Sequence, residues 1–113
     1  MTQRELIDLC LTHPGSFEDY PFDNVTPVIK LSSNGKMFAL VGETGGRPSV
    51  NLKCDPMEAD FLRQTHKDIR PGYHMNKVHW NTVVPGGDVS YDELIRMIEN
   101  SYDLIKPKVR KRK

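Results

Sequence analysis

Between Pro71 and Asn81 the chain reads Pro-Gly-Tyr-His-Met-Asn-Lys-Val-His-Trp-Asn, which gathers two imidazoles, an ammonium, two amides, a phenol and the only tryptophan. Segments that merely connect elements are rich in Gly, Ser, Asn and Asp and poor in rings, so this stretch is either a plug for the core or a contact surface. The first chemistry it suggests is metal binding, because His74 and His79 stand at a zinc-type spacing and His66 precedes them. A zinc site needs three or four ligands, and neither a Cys pair nor a close Glu stands at a partner spacing, so no metal and no cofactor is assigned. The second is thiol chemistry. Cys54 directly precedes a helix start at Asp55, where the positive end of the helix dipole lowers a thiol pKa. The alternative reading is a small buried residue closing a strand, and without a His nearby in sequence no catalytic residue is assigned.

The remaining groups carry less. Asp55, Glu58 and Asp60, and then Asp88, Asp92 and Glu93, cluster at helix starts, where capping and the helix dipole account for them. Gly42, Gly45 and Gly46 resemble a phosphate loop in composition alone, because no helix follows them. Trp80 is read as a core residue between strand and helices, with a stacking surface as the alternative. What is left is a basic set, Lys30, Lys36, Arg47, Lys53, Arg70 and Lys77, beside Tyr73, His74, His79 and Trp80. Residues 25–87 hold eight Lys or Arg against five acids. That excess suits phosphate, or an ordinary solvated face.

These side chains need a scaffold, and 113 residues suffice for one domain with one core. The formal charge of +1 hides an asymmetry, because Lys106, Lys108, Arg110, Lys111, Arg112 and Lys113 alone carry six positive charges. Residues 1–105 therefore total −5, and attraction to polyanions must come from the tail or a local patch. We expect one domain over 1–105 and a basic tail over 106–113, disordered in isolation. The chain shows no apolar run of membrane-spanning length and no secretory or transit pattern, and its two cysteines form no disulfide framework, so a cytoplasmic location is expected.

Three helix starts share one signature: Thr2-Gln-Arg-Glu5, Asp55-Pro-Met-Glu58 and Ser90-Tyr-Asp-Glu93 each place a capping oxygen three residues before a glutamate. Helices are predicted over 3–12, with Leu6, Leu9 and Cys10 inward, and over 56–65, with Ala59, Leu62 and Phe61 inward. A third is predicted over 91–105, with Leu94, Ile95, Ile98, Tyr102 and Ile105 inward. Between the first two, Val25–Leu31 and Lys36–Val41 flank Asn34-Gly35 as a hairpin. A looser turn over 42–48 leads into a strand over 49–53, where Val50 and Leu52 face one way and Ser49, Asn51 and Lys53 form a wet face. Strands over 80–84 and, at an edge, within 17–22 complete an α+β two-layer sandwich of an antiparallel sheet with helices packed on one face.

Several motifs resemble the MmcQ/YjbR family: Asp-Tyr-Pro-Phe at 19–22, Lys-Met-Phe-Ala-Leu at 36–40, Asn-Leu-Lys-Cys-Asp-Pro at 51–56, the stretch over 71–83, and Ser-Tyr-Asp-Leu at 101–104. The resemblance implies a frataxin-like (CyaY-like) fold and DNA binding through a double-wing arrangement of hairpins. By resemblance Lys36, Lys53, Tyr73, His74, Asn76, Lys77, His79 and Trp80 match the family motif, whereas Arg47 and the tail lie outside it. The first helix offers only Glu5 and Asp8, too few for the acidic ridge that iron binding would require. The expectation is a non-enzymatic domain that meets DNA through Lys36, Arg47, Lys53, Lys77, His74 and His79, assisted by the tail. Its rivals are a protein- or small-ligand-binding module using the Pro71–Asn81 loop and an enzyme using Cys54 or His74.

Overall fold

The computed structural model describes residues 1–72 and 75–107. Its elements run α1 (Gln3–Cys10), β1 (Ser16–Asp19), β2 (Val28–Leu31), β3 (Met37–Thr44), β4 (Arg47–Lys53), α2 (Pro56–Thr65), β5 (Ile69–Pro71), β6 (Trp80–Val83) and α3 (Tyr91–Ile105). All strand pairs are antiparallel and the sheet order is β1-β2-β3-β4-β6-β5, so a four-stranded meander is extended by a hairpin that enters in reverse order.

The helix caps form as their residue types dictate. Thr2 with Glu5, and Ser90 with Glu93, make reciprocal capping boxes. At α2 the Asp55 carboxylate accepts from the backbone N–H groups of Met57 and Glu58, with Pro56 in the first turn. Here the box stays half made, because Glu58 accepts from the Cys54 thiol at 3.5 Å. On α2, Ala59 is buried and Leu62 packs against the core, but Phe61 is 63% exposed, correcting its inward assignment. The inward position after Leu62 is Arg63, whose guanidinium is held by the chain below it.

Alternation sorts the sheet into two faces. Ile29, Ala39, Val41, Val50, Leu52 and Val83 meet Leu6, Cys10, Leu94 and Ile98 in one core beneath the helices. Asn81 shares that face, its amide donating to the Ala59 carbonyl of α2. The other face bears Leu40, Gly42, Ser49, Asn51, Lys53, Trp80 and Thr82, which follow from the pairings Leu40↔Asn51, Gly42↔Ser49, Asn51↔Thr82 and Lys53↔Trp80. That face carries no helix, yet Ser49, Asn51 and Thr82 are buried, because the segments around Phe22–Thr26 and Met75 lie over them. The expected wet face is therefore partly roofed. Trp80 is buried as expected, at 9% exposure, but on this helix-free side rather than between strand and helices.

Two turns differ from expectation. The loose turn over 42–48 is a two-residue hairpin, with Gly45 at φ 57° and Gly46 at φ 77°; two consecutive left-handed residues match the twist of the flanking strands, so β3 runs on to Thr44 and β4 starts at Arg47. The second is at Pro71-Gly72, a pair whose residue types would open a turn at the proline. Pro71 ends the short edge strand β5, where a missing N–H is tolerated, and the turn starts only at Gly72.

Candidate functional site

Strand direction decides which basic residues can act together. Lys36 precedes β3 and Arg47 follows its far end, so the two lie at opposite ends of the sheet, about 26 Å apart at ~3.3 Å per residue. Arg47 is also engaged there, donating to the Pro85 carbonyl at 3.1 Å and standing 3.9 Å from Asp68. Lys53 ends β4 at the Lys36 end, a backbone separation of about 8 Å by strand spacing. It also lies opposite Trp80, where the central loop returns to the sheet. Lys77 and His79 are exposed on that loop. The predicted His74, together with Tyr73 and residues 108–113 of the tail, lies outside the described residues.

Three anchors shape this end. First, the Cys54 N–H donates to the His79 carbonyl at 2.7 Å, tying the loop to the start of α2. Second, Arg63 donates through Nε to Asn81 Oδ1 at 2.6 Å and through its terminal nitrogen to the carbonyls of Lys77 and Trp80. One guanidinium thus fixes the backbone that presents Lys77, a use of its rigid fork of donors. Third, Ser101 stands between β3 and β4, accepting from the Lys53 N–H at 2.9 Å and donating to the Phe38 carbonyl at 2.6 Å. The Asn34 amide in the β2–β3 turn donates to the Ile105 carbonyl at 2.8 Å, so α3 ends against the turn that bears Lys36. Lys106, which follows, pairs with Asp103 at 3.1 Å. Two loops, 32–36 and 75–79, thus lie on either side of the end of β4.

Arg63, Asn81 and Ser101 were missed from sequence. By type Arg63 is one more surface cation of an amphipathic helix, and a serine inside an apolar stripe gives no signal of its role before the sheet register is known.

Burial first, then Glu58 and Asp55, push the Cys54 thiol up to about 12, so the lowering expected from the helix start is overridden by two carboxylates and a dry setting. Burial alone raises Cys10 to about 12. His66 is engaged by its own neighbours: its Nε2 meets Glu93 at 2.7 Å and its Nδ1 meets the Thr65 hydroxyl at 2.9 Å. Hydrogen bonds from Ser90 and then His66 hold the Glu93 carboxyl below its ordinary range. Among the described residues no three His, Cys, Asp or Glu side chains converge as a metal site.

A profile of the YjbR family matches residues 11–104. The chain belongs to the YjbR family. It is 37% identical over 102 residues to the uncharacterized protein YjbR of Escherichia coli K12, covering 90% of this chain and 85% of that one. It is 33% identical over 104 residues to the uncharacterized protein YyaQ of Bacillus subtilis 168, covering 81% and 87%. Two solved structures share the fold. The Deinococcus radiodurans protein DR2400, domain DUF419, superposes with a TM-score of 0.82 at 39% identity, covering 92% of this chain and 78% of that one. A Pseudomonas syringae protein superposes at 0.80 and 30% identity, covering 94% and 100%. The YjbR match takes in the core of all six strands, both loops at the Lys53 end and nearly all of α3. No helix among the described residues is long and apolar enough to cross a membrane.

Proposed function

We propose that this YjbR-family chain is a non-enzymatic DNA-binding domain that holds duplex phosphates at the Lys53 end of its sheet. One observation carries the reading: Lys36, Lys53 and Lys77 share that end with the C-terminus of α3, from which the six charges of Lys106–Lys113 follow. The loops 32–36 and 75–79 act as two wings about the end of β4, with His79 in the second. Arg47 belongs to the opposite end and serves there to join the β3–β4 turn to the Pro85 and Asp68 segments. Phosphate contacts of this kind set position and affinity rather than sequence, and no residue is assigned to base edges. Asp55 and Glu58 at the start of α2 subtract from the local field, and residues 1–105 are net acidic, so the tail supplies long-range attraction and the wings supply the seat.

The test is an anisotropy titration of duplex DNA with the full chain at several salt concentrations. Lys36→Glu combined with Lys77→Glu, both at exposed positions, is expected to weaken binding and lower the salt slope by about two. Arg47→Gln is expected to leave both unchanged. Equal effects of the two changes, or no effect of the double one, would remove the wings from the interface.

A further inference from the structure

The helix-free face holds a cavity of about 390 Å³, within the range of small-molecule sites, and none of Lys36, Lys53, Lys77 and His79 lines it. Its floor is β3, β4 and β6, contributing Leu40, Ser49, Asn51 and Thr82; Phe22 and Met75 form apolar walls. Strands of a half-covered sheet bury polar side chains only when these are hydrogen-bonded, and the floor follows that rule up to one group. Thr44 donates to the Ser49 hydroxyl at 2.9 Å, and the Thr82 hydroxyl donates to Asn51 Oδ1. Asn51 is only 8% exposed, yet its Nδ2 has no hydrogen-bond partner among the described residues. Since no buried side-chain nitrogen or oxygen there is orphaned, that nitrogen opens onto the cavity.

Among the described residues the charges at the rim are all of one sign: Asp23 and Glu43 line the cavity and no Lys or Arg does. Neither carboxylate joins any ion pair found among the described residues. Asp23 accepts from the backbone of Val25 and Thr26 and from the Thr26 hydroxyl, and these bonds hold its carboxyl below its ordinary range, keeping it charged. Arg70 lies in the neighbouring hollow, which shares Glu43, Thr44 and Thr82 with the cavity, but makes no ion pair with Glu43.

The geometry points to a binding site for a small organic cation: an amine with an apolar body, packed between Phe22, Leu40 and Met75, that presents a carbonyl to Asn51 Nδ2 and its ammonium to Asp23 and Glu43. Free phosphates and carboxylates are disfavoured, since they would meet two carboxylates with no compensating cation among the described lining residues.

Phenylalaninamide carries the ring, the carbonyl and the ammonium, whereas N-acetylphenylalanine carries the ring with a negative charge instead. Titration of each into the full chain is followed by the Asn51 side-chain amide resonance. Phenylalaninamide is expected to shift it saturably and N-acetylphenylalanine to leave it in place. Glu43→Gln, at an exposed position, is expected to weaken phenylalaninamide about two- to fivefold, the worth of one exposed ion pair. Gly42 lines the cavity and a Cβ added there meets no atom within 4 Å, so Gly42→Phe is expected to occupy the cavity and abolish binding, with an unchanged far-ultraviolet circular dichroism spectrum showing that the variant folds. The site is overturned if phenylalaninamide fails to saturate at its solubility limit, if the anion binds equally well, or if Gly42→Phe binds as the unaltered chain does.

Discussion

Ser101→Ala removes one oxygen from the chain and two hydrogen bonds from its centre. The hydroxyl is fully buried, accepts from the Lys53 N–H and donates to the Phe38 carbonyl, so it bridges a donor on β4 to an acceptor on β3 and pins both to α3. Each bond contributes about 1 kcal/mol net, but a buried group stripped of its partner costs about 1–3 kcal/mol. Phe38 is fully buried and its carbonyl bears that penalty in full, while Lys53 is half-buried and its N–H can recover part from water. The expected loss is about 2–4 kcal/mol, a large fraction of the ~5–15 kcal/mol that holds a domain of this size together. Urea unfolding followed by far-ultraviolet circular dichroism reads it directly. With a slope of about 2 kcal/mol per molar, the middle of the usual range, the midpoint is expected to fall by about 1–2 M with the slope unchanged. A loss below about 0.5 kcal/mol would mean that the two strands close their own ladder there and that Ser101 does not hold the end of β4.

Other consequences follow from single contacts. Gly72→Ala places a Cβ 2.9 Å from the Trp80 Cβ and 3.1 Å from the Trp80 carbonyl oxygen, so it is expected to cost about 1–3 kcal/mol and to shift Trp80 emission to the red; an unchanged spectrum and midpoint would contradict the packing. Cys54, with its thiol raised to about 12 by burial and two carboxylates, is expected to alkylate slowly at neutral pH in the folded chain and quickly in urea; fast native labelling would restore a reactive thiol. Because Glu93 sits below its ordinary range, its contribution is full above about pH 4.5 and is lost as pH falls through its lower folded value. The stability gap between the unaltered chain and Glu93→Gln is therefore expected to narrow on acidification, and a gap constant from pH 6 to pH 2 would contradict the assignment.

The helices were legible because their ends are written locally: a capping oxygen three residues before a glutamate fixes each start, and Pro14-Gly15 or Pro107 follows the end. The core face of the sheet was legible from the alternation at Val50 and Leu52. What escaped depends on register and on neighbours distant in sequence. Trp80 reads as core by type, but only its pairing with Lys53 shows which side of the sheet it covers. Ser49 and Asn51 alternate correctly, yet their burial comes from loops that no periodicity announces. The tight turn at Gly45-Gly46 looked slack because glycine reports freedom and not the conformation chosen. At the candidate interface the sequence supplied the cations; strand direction separated Arg47 from Lys36 and brought the end of α3 to the Lys36 turn.

In the proposed function the tail attracts DNA and the wings seat it, and the salt dependence of duplex binding separates the two. If all six tail charges meet phosphates, the log–log slope of the full chain exceeds that of residues 1–105 by about 5. The measurement is that slope for both forms, with Lys36→Glu and Lys77→Glu then introduced into the shorter one. The expected result is a steep slope for the full chain, a shallow but measurable affinity at low salt for residues 1–105, and its loss on charge reversal. No detectable binding by folded 1–105 would contradict a DNA seat at the Lys53 end.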